Sequence, residues 1–87
     1  MDRWECTAVH GRVILFTWEL KENSKSRRWF YANLRRLLDE LPRNSWCKLG
    51  GSVYLVEKRY SVRFLMLLKK FEGPELTWYS FEIVRKI

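Results

Sequence analysis

The chain has 87 residues, of which 47% are hydrophobic and 16% aromatic. This length suits one domain and excludes two independent cores, and the apolar content excludes a disordered chain. We therefore expect one folded domain over residues 1–87, with residues 1–11 forming an N-terminal arm or an extra strand.

The chain is strongly basic. Lysine and arginine number 17 against 10 acidic residues, which gives a net charge of +7. A charge of this size favours a polyanionic partner such as nucleic acid. The alternative is that the charge serves solubility alone.

The sequence shows neither a membrane span nor a signal peptide. No segment approaches the ~20 apolar residues of a membrane span, and the N-terminus lacks the apolar stretch of a signal peptide. We predict a cytoplasmic protein without membrane contact.

Cys6 and Cys47 lack CxxC spacing, so both are predicted to be reduced thiols. The single histidine, His10, has no HxxxH partner, and neither a P-loop nor a GxSxG motif occurs.

The first predicted strand covers residues 12–20. Four apolar residues, 13–16, follow one another in it, which is typical of a strand buried on both faces. A polar loop over residues 21–26 follows, and Ser26 is the predicted N-cap of a helix that Pro42 ends. The apolar stripe of this helix consists of Phe30, Leu34, Leu37, Leu38 and Leu41. On its outer side the expected i,i+4 ion pairs are Arg35–Asp39 and Arg36–Glu40.

The second half of the chain again combines predicted strands with a helix. Short strands are predicted at residues 45–49 and 52–57, joined by a Gly-Gly turn, and a last strand at residues 76–84. Between them, residues 60–71 form a predicted helix with Ser61 as its N-cap. The apolar residues assigned to this helix are Val62, Leu65 and Met66.

The order of these elements predicts the fold. Strand-helix-strand units with right-handed crossovers give a ferredoxin-like β-α-β-β-α-β domain, an α+β fold with a four-stranded antiparallel sheet and two helices on one face. Both central strands are apolar on successive residues, so the open face of the sheet should be covered too. We expect a second copy, in a homodimer, or the N-terminal arm to cover it.

Glu19 is the candidate catalytic and metal-binding residue. It lies at the C-terminal end of the first central strand, where ligands of open α/β layers often bind. Placed beside its copy by a dimer axis, its carboxylate would hold Mg²⁺ and position a phosphate or a water. The alternative is a solvated residue, or an ion-pair partner for Lys21 or Arg27.

Basic side chains form two groups along the predicted helical layer. The candidate nucleic-acid-binding residues are Lys21, Lys25, Arg27, Arg28, Arg35 and Arg36 in the first group, and Lys58 and Arg59 in the second. Such side chains neutralise the phosphates of a DNA or RNA duplex, and Trp29 and Tyr31 add rings that can stack on bases. The alternative is a solvated helical face with these aromatic rings buried at its edge.

Short motifs at fixed spacing suggest a family. The first strand ends in FTWEL at residues 16–20, a polar loop leads into Arg27 and Arg28 of a leucine-striped helix, and a later strand reads SVYLV at residues 52–56. Over residues 12–84 this pattern resembles the CRISPR-associated endoribonuclease family, the small core protein of spacer acquisition, and the related virulence-associated protein D. The acidic residue at the strand end is normally aspartate in that family, and Glu19 stands at the matching position.

The resemblance implies a ferredoxin-like homodimer that binds the backbone of duplex DNA through basic side chains and bridges an integrase-type partner. It also implies metal-dependent nuclease activity in some members. Three hypotheses follow: a nucleic-acid-binding dimeric module, a Mg²⁺-dependent nuclease using Glu19 from each protomer, and a non-catalytic protein that binds another protein through the open sheet face.

Overall fold

A four-stranded antiparallel sheet forms the centre of the structure. The computed structural model describes residues 11–83, in which strands and helices follow the order β-α-β-β-α-β. The strands are β1 (Val13–Leu20), β2 (Trp46–Gly50), β3 (Val53–Glu57) and β4 (Leu76–Ile83), and the helices are α1 (Arg27–Glu40) and α2 (Lys58–Phe71). The sheet order is β2-β3-β1-β4. The predicted ferredoxin-like fold is therefore confirmed.

The strand pairing places the N-termini of the two helices at opposite ends of the sheet. β1 runs antiparallel to β3, with Val13 opposite Glu57 and Thr17 opposite Val53. α1 follows the C-terminal end of β1, whereas α2 follows directly on Glu57, beside the start of β1. The N-termini of α1 and α2 consequently lie about one strand length apart, which is about 26 Å for eight residues.

Alternation along the central strands separates a helical face from an open face. Phe16 and Trp18 of β1 and Tyr54 and Val56 of β3 are buried in one cluster with residues of both helices. The residues between them point to the other side of the sheet. This two-sided apolar pattern explains the unbroken hydrophobic run of residues 13–16.

Helix α1 agrees with the predicted stripe. Phe30, Leu34, Leu37 and Leu41 are buried, and Leu38 packs against them from the edge. Ser26 occupies the N-cap position, but its side chain makes no capping hydrogen bond.

Helix α2 differs from the prediction in where it starts. It begins at Lys58 with Glu57 at the N-cap, so Ser61 is not the cap, and its hydroxyl donates to the carbonyl of Lys58. The buried residues are Phe64, Leu67 and Leu68, whereas Val62 and Met66 are 61% and 64% exposed. Two apolar stripes compete on this helix, and the one with a phenylalanine and two leucines removes more apolar surface from water.

The open face of the sheet is partly buried. Val13 and Cys47 form a small buried cluster there, while Tyr79 and Phe81 of the edge strand β4 are 50% and 57% exposed. Cys47 is disulfide-bonded, so the prediction of a reduced thiol is wrong for this residue. A disulfide depends on two Cβ atoms meeting in space, which spacing along the chain does not reveal.

Several predictions fall outside the described residues. These concern the N-terminal arm or extra strand, Cys6, His10 and the last residue of the predicted strand 76–84. Within residues 11–83, neither helix combines the length and the apolar character that a membrane span requires.

Tyr54 gives the core a dependence on pH. Burial, and to a smaller extent the neighbouring Tyr31, raises the pKa of Tyr54 above its ordinary value of 10.0. The folded state thus favours the neutral phenol, so the stabilisation is complete below about pH 10 and is lost as the pH rises through the raised pKa. We expect the free energy of unfolding to fall more steeply in the wild type than in Tyr54→Phe as the pH rises above about 10. Urea unfolding of both proteins across that range tests this, and parallel curves would contradict it.

Candidate nucleic-acid interface

A basic groove lies along the outer edge of α1. Its volume is about 680 Å³. The residues that line it are Ser24, Lys25, Arg27, Arg28, Tyr31, Ala32 and Arg35. We call it the α1 groove. Four of the eight predicted nucleic-acid-binding residues thus surround one concave surface.

The loop before α1 is held in place by the turn that precedes β4. The Ser24 hydroxyl donates to Glu75 Oε1 at 2.6 Å and accepts from the N–H of Ser26 at 3.1 Å. The N–H of Lys21 donates to the carbonyl of Glu75 at 3.0 Å. Because Ser24 is almost fully buried, these bonds fix the turn that directs Lys25 toward the groove.

Helical spacing sets the rest of the groove. Arg28, Ala32 and Arg35 lie on one side of α1 over two turns, and the small alanine leaves space between the two guanidinium groups. Arg27 stands over the ring of Tyr31, with its Cζ 5.4 Å from the ring centroid. Tyr31 in turn accepts a hydrogen bond from Trp18 Nε1 at 3.4 Å. The groove is therefore anchored to the core through Tyr31.

The charges in the groove are not neutralised by the described part of the chain. No salt bridge among residues 11–83 involves Lys25, Arg28 or Arg35. The predicted pairs Arg35–Asp39 and Arg36–Glu40 are not formed. Glu40 pairs with Arg63 of α2 instead. Three exposed positive charges on one surface repel each other and attract anions.

The other predicted basic residues lie elsewhere. Arg36 faces α2 and lines the groove between the two helices. Lys58 pairs with Glu82 at 3.2 Å and Arg59 with Glu57 at 3.7 Å, at the end of the sheet opposite the α1 groove. Lys21 is exposed in the loop before α1 and does not line the groove.

The two aromatic residues of α1 have different surroundings. Trp29 is 67% exposed, so its ring is open to a stacking partner. Tyr31 is half-buried, with Phe30 edge-on at 5.1 Å and Arg27 over its ring. The predicted alternative of an aromatic ring buried at the helix edge therefore applies to Tyr31 and not to Trp29.

Glu19 lies on the other side of the sheet from the α1 groove. It is exposed and pairs with Thr77 of β4, and because Trp18 and Leu20 pack against the helices, Glu19 points to the open face. The alternative ion pairs with Lys21 and Arg27 are not formed within residues 11–83. No group of three or more side chains suited to a metal ion occurs in that range.

Three residues that shape the site were not predicted from the sequence. Ser24 lies within the predicted polar loop over residues 21–26, and Glu75 comes directly before the last predicted strand. The Ser24–Glu75 bond joins positions 51 residues apart, and no local pattern signals such a contact. Ala32 could have been found, since a small residue between two arginines on one helical side indicates an open groove.

Comparison of the chain with models of known protein families and with curated proteins finds no match. The resemblance to the CRISPR-associated endoribonuclease family therefore stays a hypothesis.

Proposed function

We propose that this protein binds the phosphate backbone of duplex nucleic acid through the α1 groove. The observation that carries the proposal is the convergence of Lys25, Arg27, Arg28 and Arg35 on one groove, with no salt bridge to the described acidic residues. Positive side chains around a concave surface bind phosphates and release the counterions condensed on them.

The composition of the groove favours backbone binding over base readout. Arginine side chains offer planar pairs of donors that match phosphate oxygens. α1 is docked on the sheet along its whole apolar side, so it presents one side to a ligand and does not enter a groove of the duplex as a free helix. We expect little sequence preference.

A salt titration tests the proposal. For four phosphate contacts on duplex DNA, the logarithm of the association constant should fall with the logarithm of salt concentration with a slope of about −3.6. Fluorescence anisotropy with labelled duplexes of unrelated sequence measures this slope. Absence of binding at low salt, or affinity that does not change with salt, would overturn the proposal.

We also propose that the module is a homodimer that associates through the open face of the sheet. Tyr79 and Phe81 are exposed on that face, and no lysine or arginine lies among the described strand residues that point to it. Two copies of a chain with net charge +7 repel each other least across a face that exposes aromatic rings and carries no positive charge.

The oligomeric state tests the dimer. Light scattering during size-exclusion chromatography should give the dimer mass for the wild type and the monomer mass for Tyr79→Ser with Phe81→Ser, because the polar side chains remove the apolar contact. Val62→Gln with Met66→Gln, which changes two equally exposed apolar residues on α2, should stay dimeric. A monomeric wild type would disprove the proposal.

Three predictions have no support from contacts among the described residues. Mg²⁺-dependent cleavage requires the carboxylate of Glu19 to meet further ligands from a second copy. An integrase-type partner and a cytoplasmic location also stay predictions from the sequence.

A further inference from the structure

Helix α2 carries a second apolar stripe on its solvent side. Val62 and Met66 lie one turn apart and are each more than 60% exposed. They stand opposite the buried stripe of Phe64 and Leu68, at the outermost line of the helix. We call this pair the α2 ridge.

A groove between the two helices runs beside the ridge. Its volume is about 380 Å³. Leu37 of α1 and Leu67 of α2 are almost fully buried beneath it, and Met66 forms part of its wall. Arg36 and Lys70 lie at its polar edges. The surface therefore combines an apolar floor, an apolar ridge and basic rims.

The charge of this surface is one-sided. α2 contains five basic residues and no acidic one. Arg63 and Arg59 are engaged with Glu40 and Glu57, but Arg36, Lys69 and Lys70 form no salt bridge within residues 11–83. An acidic ligand would complement these remaining charges.

We propose that the α2 ridge and its groove bind an acidic amphipathic helix of a partner protein. Apolar side chains of that helix at i, i+3, i+4 and i+7 pack on Val62, Met66 and the groove floor, as in helix-in-groove recognition. Its carboxylates face Arg36 and Lys70. The α1 groove lies on the far side of α1, so this surface is separate from the proposed nucleic-acid site.

Two other ligands fit the surface less well. A lipid bilayer is held by helices that present a broad face of large apolar residues. On α2, Phe64, Leu67 and Leu68 are in the core, and the exposed apolar surface is the narrow ridge of Val62 and Met66. A phosphate backbone would complement the basic rims, but contact with the aliphatic groups of Val62 and Met66 would desolvate phosphates without compensation.

Peptide binding tests the proposal. The probe is a fluorescein-labelled helical peptide with leucine at i, i+3, i+4 and i+7 and glutamate at most other positions, and the control is a peptide of the same composition in scrambled order. The wild-type protein should bind the amphipathic peptide, and Val62→Gln with Met66→Gln should weaken that binding at least about tenfold. Both side chains are exposed, so the urea midpoint of the double variant should equal that of the wild type.

Binding of duplex DNA and of phosphatidylglycerol vesicles completes the test. The double variant should bind duplex DNA as the wild type does, which keeps this surface apart from the α1 groove. Equal binding of the scrambled peptide, or unchanged peptide binding by the double variant, would overturn the proposal. If the double variant lost binding to vesicles and kept binding to the peptide, the surface would be a lipid-binding one and the proposal would be overturned. If the double variant lost binding to duplex DNA, the surface would belong to a wider nucleic-acid site, which would also overturn the proposal.

Discussion

Phe64→Ala is expected to lower the free energy of unfolding by about 3–5 kcal/mol, because the truncation removes a buried ring and leaves a cavity. The ring is completely buried and stacks on Phe16 with centroids 4.7 Å apart. It also contacts Trp18 at 6.1 Å and Tyr54 at 5.7 Å. A chain of this length has a stability near the low end of the usual range of about 5–15 kcal/mol. Much of the variant should therefore be unfolded at 37 °C, as urea denaturation followed by tryptophan fluorescence would show.

Met66→Ala is the matched control for this prediction. The residue lies on the same helix, two positions further on, and its side chain is mostly in water. We expect a change within about 0.5 kcal/mol. If Met66→Ala were the more destabilising of the two, α2 would bury the side that carries Val62 and Met66, and the orientation of α2 described above would be wrong.

Arg28→Gln with Arg35→Gln is expected to weaken duplex binding and to reduce its dependence on salt. Both guanidinium groups line the groove without an acidic partner among the described residues. Each phosphate contact that is lost reduces the salt slope by about one, so the slope should move from about −3.6 toward about −1.8. Affinity should fall at every salt concentration and by the same factor on unrelated sequences, as anisotropy titrations with several duplexes would measure.

A charge-matched control separates the groove from net charge. Arg43 lies in the loop after α1, so it is separated from Arg28 by the length of the helix, about 21 Å for 14 residues. Arg43→Gln with Lys69→Gln removes the same charge outside the groove, and we expect the salt slope to stay within about half a unit of the wild type. If both double variants lost the same amount, total charge would account for binding and the α1 groove would have no special role.

Only part of the candidate site could be predicted from the sequence. The arginines of α1 share one side because a helix repeats every 3.6 residues, so the presence of a basic helical face follows from spacing. Lys58 and Arg59 of the second predicted group lie far from this face, because β1 and β3 are antiparallel and the two helices begin at opposite ends of the sheet. Their partners Glu82 and Glu57 lie on strands, which helix periodicity does not describe.

The order of strands and helices follows from the chain alone, because apolar periodicity, Pro42 and the glycine turn act over a few residues. Which stripe of α2 is buried depends instead on the space left between Phe16, Trp18 and Tyr54, and packing in that space favours Phe64 over Met66. In the same way, Glu40 pairs with Arg63 and Ser24 with Glu75 across the fold. Local spacing describes neighbours along the chain, whereas these contacts form only after the sheet has brought distant segments together.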